Sequence, residues 1–149
     1  MKLDSISDTE IAKEYVRRFT IQAGDSIRSA EAAANHFRTF LVDADKQERF
    51  LIAFLNGQNA LIATETLFRG SLTSSAVYPR EVVEKTIQIG AAAVILAHNH
   101  PSGSIKPSSH DRKVTQKLQT ALESIDVRIL DHIIIGHGEY YSFAESDLL

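Results

Sequence analysis

The sequence contains no cysteine among its 149 residues. This absence excludes disulfide scaffolds, cysteine-ligated zinc and thiol catalysis together, and it fits a reducing compartment. The sequence also lacks a Gly-x-Ser-x-Gly segment, which argues against a serine hydrolase. Any metal site must therefore be built from nitrogen and oxygen ligands, supplied by histidine, aspartate and glutamate.

Strong charge and long apolar runs are missing as well. The chain has 16 basic and 19 acidic residues, which give a formal net charge of -3, and it has no dense Lys/Arg block. Direct nucleic-acid binding is therefore not indicated by charge. The first residues, Met1 to Ser5, lack the apolar core of a signal peptide, and no apolar run is long enough to span a bilayer. We expect a cytoplasmic protein without a membrane partner.

The length and the 44% hydrophobic content suit one compact domain with a substantial core. Hydrophobic periodicity, caps and turn residues predict its elements. These are a helix after Ser7, a helix over Ala30–Leu41, a hairpin of Gln47–Leu55 with Ala60–Phe68, a polar connection over Ser71–Ser75, a helix over Pro79–Ile89, a strand over Ala91–Ala97, a helix after Ser108, a strand over Arg128–Ile135 and an edge strand over Tyr140–Phe143. This order predicts a mixed sheet with helices against its faces.

The segment from His98 to Asp111 carries the chemistry. It follows the buried strand, and because side chains alternate across a strand, His98 and His100 project to the same side if the extended backbone continues through Asn99. A helical pattern resumes after Ser108, so Asp111 falls in the first turn of that helix. Two imidazoles and one carboxylate leave a fourth position for water, as catalytic zinc requires.

Each part of this pattern also has a simpler interpretation. Ser108 and Asp111 have the spacing of a helix N-terminal cap, and His-x-His occurs on many strands that bind no metal. Only the joint spacing of His98, His100, Ser108 and Asp111 favours a metal site.

That joint spacing resembles the JAMM motif of the JAB/MPN+ metallohydrolases. The segments Phe68–Ser71, Val77–Glu81, Ala97–Gly103 and Leu130–Gly136 further resemble the RadC family. The likeness covers about residues 28–149 and leaves 1–27 as an N-terminal helix and linker. It implies a three-layer α-β-α fold with a central mixed sheet, similar to cytidine deaminases, in the α/β (α+β mixed) class.

The resemblance also implies roles for individual residues. His98, His100, Asp111 and a water molecule would hold Zn²⁺, and Glu48 matches by position the family's upstream glutamate, the general base. Glu65 is the fallback for that role. A hydroxyl donor beside the metal, here Ser108, would stabilise the oxyanion that develops when a carbonyl is attacked.

Together these features predict a zinc-dependent metallohydrolase, a peptidase or isopeptidase acting on a peptide or protein. Asn99 differs from the Ser or Thr that deubiquitinating JAMM enzymes have between their two histidines, so ubiquitin is not assigned as substrate. The alternatives are a DNA repair or recombination accessory protein with weak or no peptidase activity, and a nucleic-acid hydrolase. The region before residue 56 has only Gly24, so we expect no helix-hairpin-helix module there.

The remaining histidines and the C-terminal aromatics have simpler predicted roles. We expect His36 at the surface or in packing, His132 as a hydrogen-bonded structural residue rather than one that orients a metal ligand, and His110 and His137 exposed. Exposed Tyr140, Tyr141 and Phe143 would provide an edge for a homodimer.

Overall fold

The computed structural model describes residues 5–43, 47–70 and 77–149, which form four α-helices and five strands. In chain order they are α1 (Asp8–Phe19), α2 (Ala30–Arg38), β1 (Arg49–Leu55), β2 (Leu61–Arg69), α3 (Pro79–Ile89), β3 (Ala93–Asn99), α4 (Ser109–Glu123), β4 (Arg128–Ile135) and β5 (Tyr140–Ser142). The predicted polar connection Ser71–Ser75 lies outside the described residues.

The five strands form one mixed sheet in the order β2-β1-β3-β4-β5. The hairpin of β1 and β2 is antiparallel, as are the pairs β1–β3 and β4–β5, whereas β3 and β4 run parallel and are joined through α4. Every residue of β1 and β3 is buried, because both strands are central and covered on both faces. The predicted mixed sheet is confirmed.

Helices cover both faces of this sheet, which confirms the predicted three layers. On one face α2 packs against alternate residues of β1 and β3, including Leu51 and Ile95. On the other face α3 and α4 pack against the intervening residues, including Phe50 and Leu96. This alternation decides the direction of His98, which follows Leu96 by two residues and so projects to the α4 side.

Several element boundaries differ from the predicted ones by one to three residues, and two of these differences are described here. Helix α2 ends at Arg38 instead of Leu41, and the backbone tightens there, with Thr39 Oγ1 donating to His36 O at 2.6 Å. Strand β3 continues two residues beyond Ala97, because the parallel ladder with β4 extends to the pair of Asn99 and Ile135. The extended conformation that the metal hypothesis required is therefore present.

The prediction that Phe143 is exposed is wrong. Its side chain is 1% exposed and stacks on His132 with ring centroids 4.7 Å apart, while Tyr140 and Tyr141 are half-buried. The aromatic residues at the end of the chain close the core beside β4 and do not form an apolar edge. The predicted homodimer loses this support and stays a prediction.

No helix in the described part of the chain combines the length and the apolar character needed to cross a membrane.

Candidate metal centre

Within the described residues, His98, His100 and Asp111 form a cluster that could hold a metal ion. The two Nε2 atoms of the histidines lie 3.0 Å apart. Asp111 Oδ1 lies 3.1 Å from His98 Nε2, and Asp111 Oδ2 lies 3.1 Å from His100 Nε2. The structure therefore brings together all three residues that the sequence predicted as metal ligands.

The loop after β3 turns His100 toward the cluster. His100 N donates to Ile135 O at 3.2 Å, and Gly103 N donates to His100 O at 2.8 Å, which closes a turn. Gly103 has φ +86°, and a Cβ there would lie 2.6 Å from His137 Nδ1, so only glycine fits. Within the same loop His100 Nδ1 donates to Ser104 O at 2.8 Å. In the neutral imidazole this bond leaves the lone pair of Nε2 directed at the cluster.

A second hydrogen-bonded chain sets the tautomer of His98. Thr115 Oγ1 donates to Asp111 O at 2.8 Å, and it accepts from His132 Nδ1 at 2.5 Å. Burial lowers the pKa of His132 well below its ordinary value, so this ring is neutral and its Nε2 carries no hydrogen. That Nε2 accepts from His98 Nδ1 at 2.8 Å. His98 Nε2 is consequently the unprotonated nitrogen, which is the form that binds a metal.

Asp111 has two tasks at the start of α4. Ser108 is the N-cap, and its Oγ accepts from Asp111 N at 3.0 Å, while Ser108 N donates to Asp111 Oδ2 at 2.8 Å. This reciprocal pair is the capping box that the spacing allowed as the simpler interpretation. It does not compete with metal binding, because the box fixes the carboxylate against both imidazoles. The same position of the Asp111 carboxylate therefore serves both the helix cap and metal binding.

The electrostatics of the cluster favour the ionised form of Asp111, which would attract a cation. Burial alone would raise the pKa of Asp111, but the hydrogen bonds that His100 and His98 donate once a proton is bound at Nε2 outweigh burial and hold the pKa well below its usual range. The hydrogen bond to Asp111 raises the pKa of His100. Asp111 is 8% exposed and His98 2% exposed, so this negative charge lies in a poorly solvated site that stabilises a cation strongly.

The distances fit a shared metal ion. Two ligand atoms each about 2.1 Å from a tetrahedral zinc ion lie roughly 3.4 Å apart. The two Nε2 atoms lie 3.0 Å apart, and each lies 3.1 Å from a different oxygen of Asp111, so these pairs are close to that value. With one ligand atom taken from each residue, all three atoms lie within 4.8 Å of one another. Lone pairs of two nitrogens and two oxygens repel at this range unless a proton or a cation lies among them. The donor set and its spacing therefore fit Zn²⁺ with an open fourth position.

Asn99, between the two histidines, holds the segment that carries Glu48. Its Oδ1 accepts from Arg49 N at 2.7 Å, and its Nδ2 donates to Gln47 O at 3.0 Å, so one side chain binds the peptide groups on either side of Glu48. Gly70 N donates to Glu48 O at 2.9 Å from the other side. The charge of the Glu48 carboxylate makes the smallest of the named contributions to the raised pKa of His100.

Glu65, the fallback base, is placed differently. It lies on β2 in register with Ile52, which pairs in turn with Leu96, whereas His98 pairs with Phe50. Its Oε2 forms an ion pair with Lys85 Nζ at 3.1 Å. The structure does not bring Glu65 into the cluster.

Three supporting residues were missed or only partly recognised in the sequence. His132 was expected to be a structural residue, yet it hydrogen-bonds directly to a candidate ligand. Thr115 and Asn99 carried no signal for their contacts, since both partners are distant in sequence. The expected exposure of His137 is confirmed, whereas His110 is half-buried and His36 is buried in packing.

A model of the RadC-like JAB domain matches residues 27–148. The chain belongs to the RadC-like JAB domain family. The UPF0758 protein YfjY of Escherichia coli is 47% identical to this chain over 128 residues, which cover 86% of this chain and 79% of that protein. UPF0758 proteins of Thiobacillus denitrificans and Vibrio vulnificus are 49% and 43% identical over 85% and 91% of this chain. The chain spans only 56% and 60% of those two proteins.

Membership in the RadC-like JAB family and the His-His-Asp cluster together support a JAMM-like, metal-dependent hydrolase. The names of the relatives state neither a substrate nor a reaction.

Proposed function

We propose that this protein is a zinc-dependent peptidase or isopeptidase. The observation that carries the proposal is the convergence of His98, His100 and Asp111, whose two Nε2 atoms lie 3.0 Å apart and each 3.1 Å from one oxygen of the Asp111 carboxylate. Imidazole and carboxylate donors with one open position are the usual ligands of catalytic zinc, and the absence of cysteine fits the same set. A bound zinc ion would supply Lewis acidity at the substrate carbonyl and would activate a water molecule as a nucleophile near neutral pH.

Glu48 is the proposed general base. Its carboxylate accepts a proton from the attacking water and returns it to the leaving amine, which completes hydrolysis of the amide bond. The side chain of Asn99 fixes the backbone on both sides of Glu48 and sets the distance between this base and β3.

Ser108 is the proposed hydrogen-bond donor to the developing oxyanion. Its Oγ accepts from Asp111 N, and this leaves the hydroxyl hydrogen available for a second partner. A donor that is already positioned costs little reorganisation as charge develops on the substrate oxygen. Ser108 therefore stabilises both the helix and the transition state.

The substrate in this proposal is a peptide or protein, and the location is the cytoplasm. A role in DNA repair or recombination is the alternative that the experiment below must separate. The cluster has the chemistry for phosphodiester hydrolysis as well, but a net charge of -3 gives little attraction for nucleic acid.

The test is hydrolysis of a mixture of quenched fluorescent peptides by zinc-loaded protein. Glu48→Gln should retain zinc and lose activity by a factor of about 100 or more, because proton transfer by a positioned base contributes that much. Glu65→Gln is the matched control and should retain activity within about twofold, since Glu65 lies outside the cluster. Equal activity of Glu48→Gln and wild type would contradict the proposal. Cleavage of DNA without cleavage of any peptide would favour the alternative.

A further inference from the structure

Helix α1 has an apolar face that the core does not bury. The helix is amphipathic and begins with a complete capping box of Ser7 and Glu10, yet it contains no buried residue. Ile11 on its apolar face is 51% exposed. Val42 is 48% exposed in the turn after α2 and lines the same opening as Ile11. Two large apolar side chains of this opening are therefore left in solvent, which carries a free-energy cost unless something covers them.

This opening is a cavity of about 500 Å³, named here the α1 cleft. One wall is α1, with Ile11, Ala12 and Tyr15, and the other includes Leu41, Val42 and Ile135. The volume lies within the range of cavities that bind small ligands or several side chains. Tyr15 Oη donates to Asn35 O at 3.4 Å and ties α1 to α2 beside the cleft.

The α1 cleft reaches the candidate metal centre through His100. Among the three candidate ligands only His100 lines the cleft. His98 and Asp111 border a much smaller cavity of about 10 Å³ together with Phe50 and His132. A molecule held in the α1 cleft would therefore lie beside the metal centre at its His100 edge.

The charges around the α1 cleft restrict what it can hold. Arg38 lines it, and its guanidinium donates to two neutral oxygens, Glu139 O at 2.6 Å and Asn35 Oδ1 at 3.2 Å. Asp8 adds a carboxylate from α1. A phosphate backbone would therefore meet one cation and one anion, and together with the exposed side chains of Ile11 and Val42 this favours an uncharged, apolar ligand.

We propose that the α1 cleft is the subsite that binds an apolar side chain of a peptide substrate next to the scissile bond. This inference rests on the proposed peptidase function. It assigns substrate selection to α1, which lies outside the residues matched by the JAB family model. Ile11 and Val42 are exposed in the free protein, and the bound side chain of the substrate would pack against them.

Ala12→Trp tests this assignment by filling the cleft. Zinc-loaded wild type should cleave a randomised quenched peptide mixture with preference for an apolar residue at one position flanking the cleaved bond. Ala12→Trp should abolish that preference and lower kcat/KM about tenfold or more, while zinc affinity stays unchanged. Lys13→Trp is the matched control, because Lys13 is exposed, neighbours Ala12 on α1 and does not line the cleft. If Ala12→Trp perturbs folding, Ile11→Asp introduces a charge into the cleft without added bulk.

A binding measurement separates failure of the subsite from failure of the peptidase proposal. The probe is an acetylated, amidated pentapeptide with one leucine among four alanines, titrated into Glu48→Gln protein and followed by amide chemical shifts. Shifts at Ile11, Tyr15 and Ile135 that Ala12→Trp removes are expected. Such shifts without hydrolysis by wild type would retain the subsite and reject the peptidase. Absence of shifts at these residues, or hydrolysis whose sequence preference Ala12→Trp leaves unchanged, would overturn the subsite.

Discussion

His98 Nδ1 and His132 Nε2 lie 2.8 Å apart in the buried layer between the sheet and α4. One of these two nitrogens must donate and the other accept. The hydroxyl of Thr115, which donates to Asp111 O, makes His132 the acceptor. This single relationship leaves His98 Nε2 free of hydrogen and directed at His100 and Asp111. The preparation of His98 for metal binding therefore depends on two residues that would not touch the metal.

His132→Phe should weaken zinc binding by about 10- to 100-fold, because His98 Nδ1 loses its hydrogen-bond acceptor. The His98 ring is then no longer held in the tautomer that leaves Nε2 free for the metal. Thr115→Val should act in the same direction with a smaller effect, since it removes only the partner of His132 Nδ1. The measurement is competition with a zinc chelator. Phe143→Leu is the control, because Phe143 packs on His132 without a hydrogen bond to it. An effect of Phe143→Leu as large as that of His132→Phe would assign the loss to packing instead.

Asn99→Ala should separate the positioning of Glu48 from metal binding. The substitution removes the buried hydrogen bonds to Arg49 N and Gln47 O, so the free energy of unfolding should fall by about 1–3 kcal/mol. Peptide hydrolysis should fall because the Glu48 segment is released, while zinc affinity should be retained. Chemical denaturation, kinetics and chelator competition check the three parts. Unchanged hydrolysis in a folded Asn99→Ala protein would show that this side chain does not position the base.

The fold and the candidate metal ligands could be predicted because their signals are local in sequence. Apolar runs and turn residues mark the strands, and His98, His100 and Asp111 lie within a segment of only 14 residues. The supporting contacts could not be predicted, since they join residues that are brought together only by the sheet register. His132 and His98 are 34 residues apart, and Asn99 and Gln47 are 52 apart. The extension of β3 to Asn99 likewise depends on pairing with β4.

Ser108→Ala should distinguish the cap of α4 from the metal site. Loss of the N-cap hydroxyl should lower the free energy of unfolding by about 1 kcal/mol. Zinc should remain bound, because the Asp111 carboxylate still accepts from the main-chain N–H of residue 108. Asp111→Asn should give the opposite result, keeping an oxygen acceptor for the cap and losing most zinc affinity. Denaturation and metal analysis of both variants check this; equal zinc loss in the two would show that cap and ligation cannot be separated.

His36 should make stability depend on pH. Its Nδ1 accepts from Ile21 N at 2.8 Å, and burial lowers the pKa of this ring from 6.5 to about 4. The unfolded chain binds this proton more tightly, so the contribution is fully present above pH 6.5 and is lost as pH falls toward 4. The loss amounts to about 3 kcal/mol. His36→Asn should flatten the profile of unfolding free energy over this interval. Identical slopes for His36→Asn and wild type would contradict this assignment.

The proposed chemistry requires that His98, His100 and Asp111 hold one metal ion. Elemental analysis of the protein, purified without chelators and supplied with zinc, measures this. About one zinc ion per chain is expected for wild type and Glu65→Gln, and almost none for folded His98→Ala and Asp111→Asn. Wild-type protein without stoichiometric zinc or a similar ion, or a His98→Ala protein that retains it in full, would show that these three residues do not hold a metal ion.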